Sequence, residues 1–204
     1  LDQFDAGWLG EPMPQITYIP FIGYLRIAAD AHARMIEYVN GGEAENAYFQ
    51  NTAQGEATIT VVFSTIALES FIHNYAARKL GEGYTDKHVE RMNLHTKWLL
   101  VPQLAMGKAI PSDHRGIQLL QKLIKARNCI VHLKAKDIEW ELWDSAEQKI
   151  TETNRLILKS AVNCFECTGL LGHALGELDP DDQATKLLAS FTSTPKYRIV
   201  EKGP

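Results

Sequence analysis

The segment Ala57–Leu80 constrains the chain most. Val62, Ile66, Glu69 and His73 fall at i, i+4, i+7 and i+11, one line along a helix, with Ile59, Phe63, Ala67, Phe71 and Tyr75 beside it. A helix of 24 residues spans about 36 Å, and an apolar face of that length has to be covered by other elements. Glu69 falls close to this face, where a carboxylate is costly unless paired. Arg127 is its candidate partner, the alternative being an edge position within reach of water. His73, on the same line, reads either as a core or interface histidine or as a neighbour of a site.

The other strong periodicities are also helical. Ile16 to Asn40 carries Ile19, Ile22, Leu25, Ala28, Ala29, His32, Met35, Ile36 and Val39 on one broad stripe. Pro20 suits the first turn, and Asn40-Gly41-Gly42 is a stop signal. Glu43–Glu56 reads as a short helix and loop. Gly81-Glu82-Gly83 closes the Ala57–Leu80 helix. A further helix, capped by Thr85 or Asp86, is expected to carry Val89, Met92, Leu94 and Trp98 towards Leu100, with breaks at Pro102 and Gly107. Ser112 or Asp113 is the expected cap of the helix holding Ile117, Leu119, Leu120, Leu123 and Ile124. Ile138–Leu142 is expected to bring Trp140 and Trp143 against the bundle. A long helix from Asp144 or Ser145 to Leu178 ends at Asp179-Pro180-Asp181, and Ala184–Phe191 is a short helix candidate. The expectation is an all-α fold, an antiparallel up-down bundle of four to five main helices with short peripheral ones. One domain covers residues 1–204: an extended arm over 1–16 pinned by Trp8 and Leu9, a core over 57–178, and a tail over 179–204 in which Pro195–Glu201 is a short strand or coil.

Composition narrows the function classes. With 45% hydrophobic and 23% charged residues over 204 positions, the chain is ordinary for a globular domain. No apolar run reaches the roughly 18–20 residues of a membrane span, and no signal-peptide pattern is visible. Three cysteines argue against a disulfide framework and for a reducing, cytoplasmic setting. The net charge of −4 hides an asymmetry. Between Arg78 and Lys136 stand twelve Lys or Arg and only four acids, a local balance of +8 that leaves −12 for the remainder. A basic third in an acidic protein is what draws an anionic ligand to one place; the alternative is a set of solvated lysine-rich helix faces.

Within that third, Ala126-Arg127-Asn128-Cys129-Ile130-Val131-His132 interrupts an apolar helical run. Asn128 and His132 are i and i+4 and share a face. Arg127 and His132 are i and i+5, about 140° apart, so they meet only if the helix restarts near Asn128 or if the arginine wraps round. The alternative is a surface Arg and His on an ordinary helix. Other chemistry is poorly represented. Cys164-Phe165-Glu166-Cys167 is a lone C-x-x-C without the second pair that a zinc site needs, and its cysteines read as buried packing thiols. His88 and His95, two turns apart on one expected helix, stand at roughly 10 Å, too far for one metal. P-loop, dinucleotide-fold and G-x-S-x-G motifs are absent.

R-N-C-I-V-H resembles the Arg-x(4–6)-His signature of the HEPN superfamily, including its frequent Asn after the Arg. The run A-L-E-S-F-I-H-N-Y-A in the helix before it resembles the long helix preceding that motif, so the likeness covers roughly Ala57 to Leu178. The resemblance implies a helical bundle that pairs as a homodimer. Many members are metal-independent ribonucleases, while others keep the fold as nucleotide-binding or scaffolding modules.

The enzymatic expectation is cleavage of RNA by its own 2′-hydroxyl, leaving a 2′,3′-cyclic phosphate and a 5′-hydroxyl. His132, with an ordinary pKa of about 6.5, serves as base or acid. Arg127 holds the non-bridging oxygens, and Asn128 orients the imidazole or the phosphate. Glu69 and His73 support the site, and Lys122, Lys125, Lys134 and Lys136 contact the RNA. The second proton-transfer group is a second His132 across a dimer cleft. No metal or cofactor is expected, and the biological setting is a toxin–antitoxin or phage-defence pair with a regulatory partner protein. The alternative is a non-catalytic dimeric module binding a nucleotide, RNA or a partner protein, with Arg127 and Glu69 as a structural ion pair.

Overall fold

A computed structural model of the chain describes residues 20–40, 47–131 and 143–192. Among these, every regular element is helical: α1 (Pro20–Asn40), α2 (Ala47–Leu80), α3 (Glu82–Tyr84), a π-helical turn (Thr85–Val89), α4 (Leu94–Met106), α5 (Arg115–Val131), α6 (Trp143–Val162), α7 (Cys164–Leu178), α8 (Gln183–Ala189) and a closing 3-10 turn (Ser190–Thr192). The expected arm over 1–16, the segment carrying Trp140, and Pro195–Glu201 lie outside the described residues.

Cross-helix pairs fix the directions. Phe21 meets Phe71 edge-on at 5.1 Å, Tyr24 lies 6.3 Å from Phe63, and Arg34 grips Glu56 at 2.8 Å, so α1 runs antiparallel to α2. Gly116 accepts a hydrogen bond from the Cys167 thiol, and Lys122 accepts one from Ser160, so α5 runs against the α6–α7 line. Tyr75 reaches Asp179, just beyond the end of α7, which sets α2 and α7 parallel. α1, α2, α5 and α6–α7 thus alternate in direction, and α2 is the member that touches every other long helix. Its Asn51–Leu80 stretch is long and apolar enough, by length and composition, to cross a membrane. Here that character is spent inside the bundle: Val61, Ala67, Leu68, Phe71, Ile72, Tyr75 and Ala76 are buried. Each fully buried side chain of Leu, Ile or Phe size contributes about 1.5–3 kcal/mol. Trp98 of α4 completes the core by stacking on Phe71 at 5.8 Å.

Several boundaries differ from the sequence expectation, each for a local reason. α2 begins at Ala47, so the stretch up to Glu56, expected as a short helix and loop, is from there on the first part of one long helix. The helix expected from Thr85 to Leu100 is two elements. Glu90 donates to the Thr85 carbonyl across a π turn, and a new helix starts where Asn93 accepts from the Thr96 N–H. Pro102 sits inside α4 rather than ending it, with its ring buried; the break falls at Gly107, whose φ of 70° is the left-handed cap glycine tolerates. The expected Asp144–Leu178 helix is interrupted at Asn163, whose side-chain amide donates to the Lys159 carbonyl at 2.7 Å and competes with the backbone ladder. The final hairpin is tight: a Cβ on Gly172 of α7 would stand 2.4 Å from the Ala189 nitrogen of α8, so the two backbones touch where only glycine fits.

Candidate functional site

α5 carries four cations and no carboxylate. Ile117, Leu119, Leu120, Leu123 and Ala126 are buried, leaving Arg115, Gln118, Gln121, Lys122, Lys125 and Asn128 outside. The helix is started by His114 rather than by Ser112 or Asp113: His114 Nδ1 accepts from the Gly116 N–H at 3.1 Å, doing the work of a side-chain cap.

α5 runs unbroken through Arg127, Asn128 and Val131, so there is no helix restart at the motif. What brings Arg127 round is its own length. Its backbone position points towards the bundle, and the side chain is half-buried, yet Nη1 reaches Asn128 Oδ1 at 3.1 Å. The guanidinium is therefore turned onto the outer face, the one that carries Asn128. His132, Lys134 and Lys136 lie outside the described residues.

Glu69 does not pair with Arg127. Its Oε1 accepts from Lys97 Nζ at 2.9 Å, and the lysine side chain is only 4% exposed. The reason is electrostatic: an ammonium with almost no access to water requires a counter-charge, whereas Arg127 is only half-buried and has Asn128. His73 sits half-buried one turn beyond Glu69 on α2, and neither residue bonds Arg127.

The linear cluster of cations is partly neutralised in space. Arg78 pairs with Asp182, Lys79 with Asp179, Lys97 with Glu69 and Arg115 with Glu166, all carboxylates from outside the basic third. Lys122, Lys125 and Arg127 stay grouped on α5 without a carboxylate partner among the described residues. One neighbour of this group has no counterpart in the sequence reading. His95 of α4 lies 2.9 Å from the Gln121 amide, a contact made by the packing of α4 on α5, and no spacing rule links positions so far apart.

The remaining candidates are structural. Cys164 and Cys167 are buried; burial pushes the Cys164 thiol up to about 12 and raises that of Cys167 well above its ordinary value, so neither is a nucleophile at neutral pH. His88, within the π turn, lies tilted against Tyr84 at 4.7 Å and is on a different element from His95, so the two do not share a helix face. His32 is buried edge-on to Phe165 at 5.3 Å, and burial lowers its pKa. Among the described residues no three His, Cys, Asp or Glu side chains gather as a metal-binding group. No protein-family model matches the chain, and comparisons with curated proteins and with solved structures found no match either.

Proposed function

We propose that the protein is a metal-independent endoribonuclease of the HEPN type, acting as a homodimer in the cytoplasm, with Arg127, Asn128 and His132 as the reacting set. The observation that supports this reading is the turn of the Arg127 guanidinium onto Asn128, 3.1 Å away, at the end of a helix with no acid. Asn128 stands four positions before His132 in the sequence, the spacing at which two side chains of a helix share a face.

In the reaction the 2′-hydroxyl gives its proton to a neutral His132 while its oxygen attacks the adjacent phosphorus. Negative charge builds on the non-bridging oxygens, where the forked donors of Arg127 match it. The bond to the 5′-oxygen breaks, and that oxygen takes a proton from a protonated imidazole, the second His132 of the dimer. The nucleophile belongs to the substrate, so the protein's tasks are proton transfer and charge stabilisation. Free thiols at Cys129, Cys164 and Cys167 suit a reducing compartment.

The end groups of the fragments test the chemistry. With mixed RNA in EDTA, the products should carry 2′,3′-cyclic phosphate and 5′-hydroxyl ends. Fragments with 3′-hydroxyl and 5′-phosphate ends would mean attack by water and a different mechanism.

A further inference from the structure

We propose that the outer face of α5 is a track for single-stranded RNA. One strand lies along Lys122 and Lys125, Gln118, Gln121 and Asn128 hydrogen-bond to it, and it is led to Arg127. The inference rests on the ribonuclease reading and adds the form of the substrate and the path by which it arrives.

Spacing is the first support. Gln118, Gln121 with Lys122, Lys125 and Asn128 recur every three or four residues, about 5 Å apart along the axis and about 15 Å from end to end. All are exposed. They form one row, which suits one phosphodiester chain; a duplex presents two phosphate rows across a groove.

Charge is the second. Neither α5 nor α4 contains an Asp or Glu, and α6, which also packs on α5, matches Asp144, Glu147 and Glu152 in number with Lys149, Arg155 and Lys159, so Lys122 and Lys125 keep a net positive field beside them. Arg115, at the far end, is tied to Glu166 at 3.2 Å, so the unpaired charge is concentrated towards Arg127.

The kind of polar group is the third. Three amides flank the two lysines, and amides both donate and accept, as base edges require; the Gln118 amide also donates to the Asp113 carbonyl at 3.1 Å. Gln121 is held in place by His95 from α4 at 2.9 Å. No large apolar side chain is exposed on this face before Val131, which disfavours a membrane surface. An acidic peptide would match the cations but presents no base edges to the three amides.

The test is binding of the full chain to a fluorescently labelled single-stranded RNA whose 2′-hydroxyls are methylated, so that it cannot be cleaved, followed by anisotropy over a range of salt. Reversing both lysines (K122E/K125E) should weaken binding at low salt by about tenfold or more. It should also reduce the slope of log K against log[salt] by about 1.4, two contacts at roughly 0.7 each. The charge-matched control K87E/K108E, at two exposed lysines outside α5, should keep the wild-type affinity and slope. K122Q/K125Q should show the same slope change with a milder loss. The track is overturned if K122E/K125E keeps the wild-type slope, if the control loses as much, or if duplex RNA or polyglutamate competes as well as the single strand. Wild-type binding with these signatures but no cleavage of unmodified RNA would leave the track standing and remove the ribonuclease reading. Cleavage with an unchanged slope in K122E/K125E would do the reverse.

Discussion

Arg127→Ala should lower the single-turnover rate of RNA cleavage by about 10²–10³-fold, or about 2.7–4 kcal/mol of transition-state stabilisation. The effect should be this large because the guanidinium is placed before the reaction. Half-buried and held by Asn128 at 3.1 Å, it loses little freedom when charge appears on the phosphorane. In the proposed track Lys122 and Lys125 would supply ground-state binding, so KM should move much less than the rate. Arg127→Lys should recover only part of the loss, because an ammonium is a point charge without the paired donors that match two phosphate oxygens. Circular dichroism should be unchanged in both variants. A wild-type rate in Arg127→Ala would place the cation outside the reaction.

The largest expected effect on stability lies at the other end of α2, at Asp179. Its carboxylate, 5% exposed, accepts from the Tyr75 hydroxyl at 2.9 Å and pairs with Lys79 at 2.6 Å, while Arg78 holds the neighbouring Asp182. Asp182 in turn caps α8 through the Thr185 N–H. The Tyr75 ring also lies under both cations, at 5.8 and 5.7 Å. Asp179→Ala should therefore cost about 1–3 kcal/mol in urea unfolding at neutral pH, because it orphans the buried Tyr75 hydroxyl and takes the counter-charge from the partly exposed Lys79. Asp179→Asn, which keeps an acceptor for Tyr75, should cost clearly less.

The same site gives a pH signature. Burial alone would raise the Asp179 carboxyl, but the bonds from Lys79 and Tyr75, with the charges of Lys79 and Arg78, outweigh it and hold the group below its ordinary value. A depressed carboxylate contributes its stability above the unfolded value of about 3.9 and loses it as pH falls through the folded value. The gap between wild type and Asp179→Ala should therefore be widest near neutrality and narrow in acid. A gap independent of pH would contradict the ion-paired carboxylate.

Periodic apolar spacing made the long helices legible, because burying one face is a local requirement written along the segment. Pro20 at the start of α1 and the stop at Asp179-Pro180-Asp181 were legible for the same kind of reason. What escaped depends on partners remote in sequence or on competition within one turn. Pro102 reads as a breaker until α4 is seen to bury its ring. Asn163 looks like any polar residue on a helix until its amide takes the Lys159 carbonyl. Lys97, one of a dozen cations in the basic third, turns out to be the buried partner of Glu69, displacing Arg127 from that role. At the motif, the spacing left two options open, a helix restart near Asn128 or an arginine that wraps round, and could not choose between them. The arginine bends round an uninterrupted helix.

Cleavage of RNA in EDTA by wild type and by His132→Ala, at equal concentration and with matching circular dichroism, bears most directly on the proposed chemistry. The expected result is fragmentation by the wild type and none by the variant. Equal fragmentation by both, or intact RNA with the wild type, would contradict it.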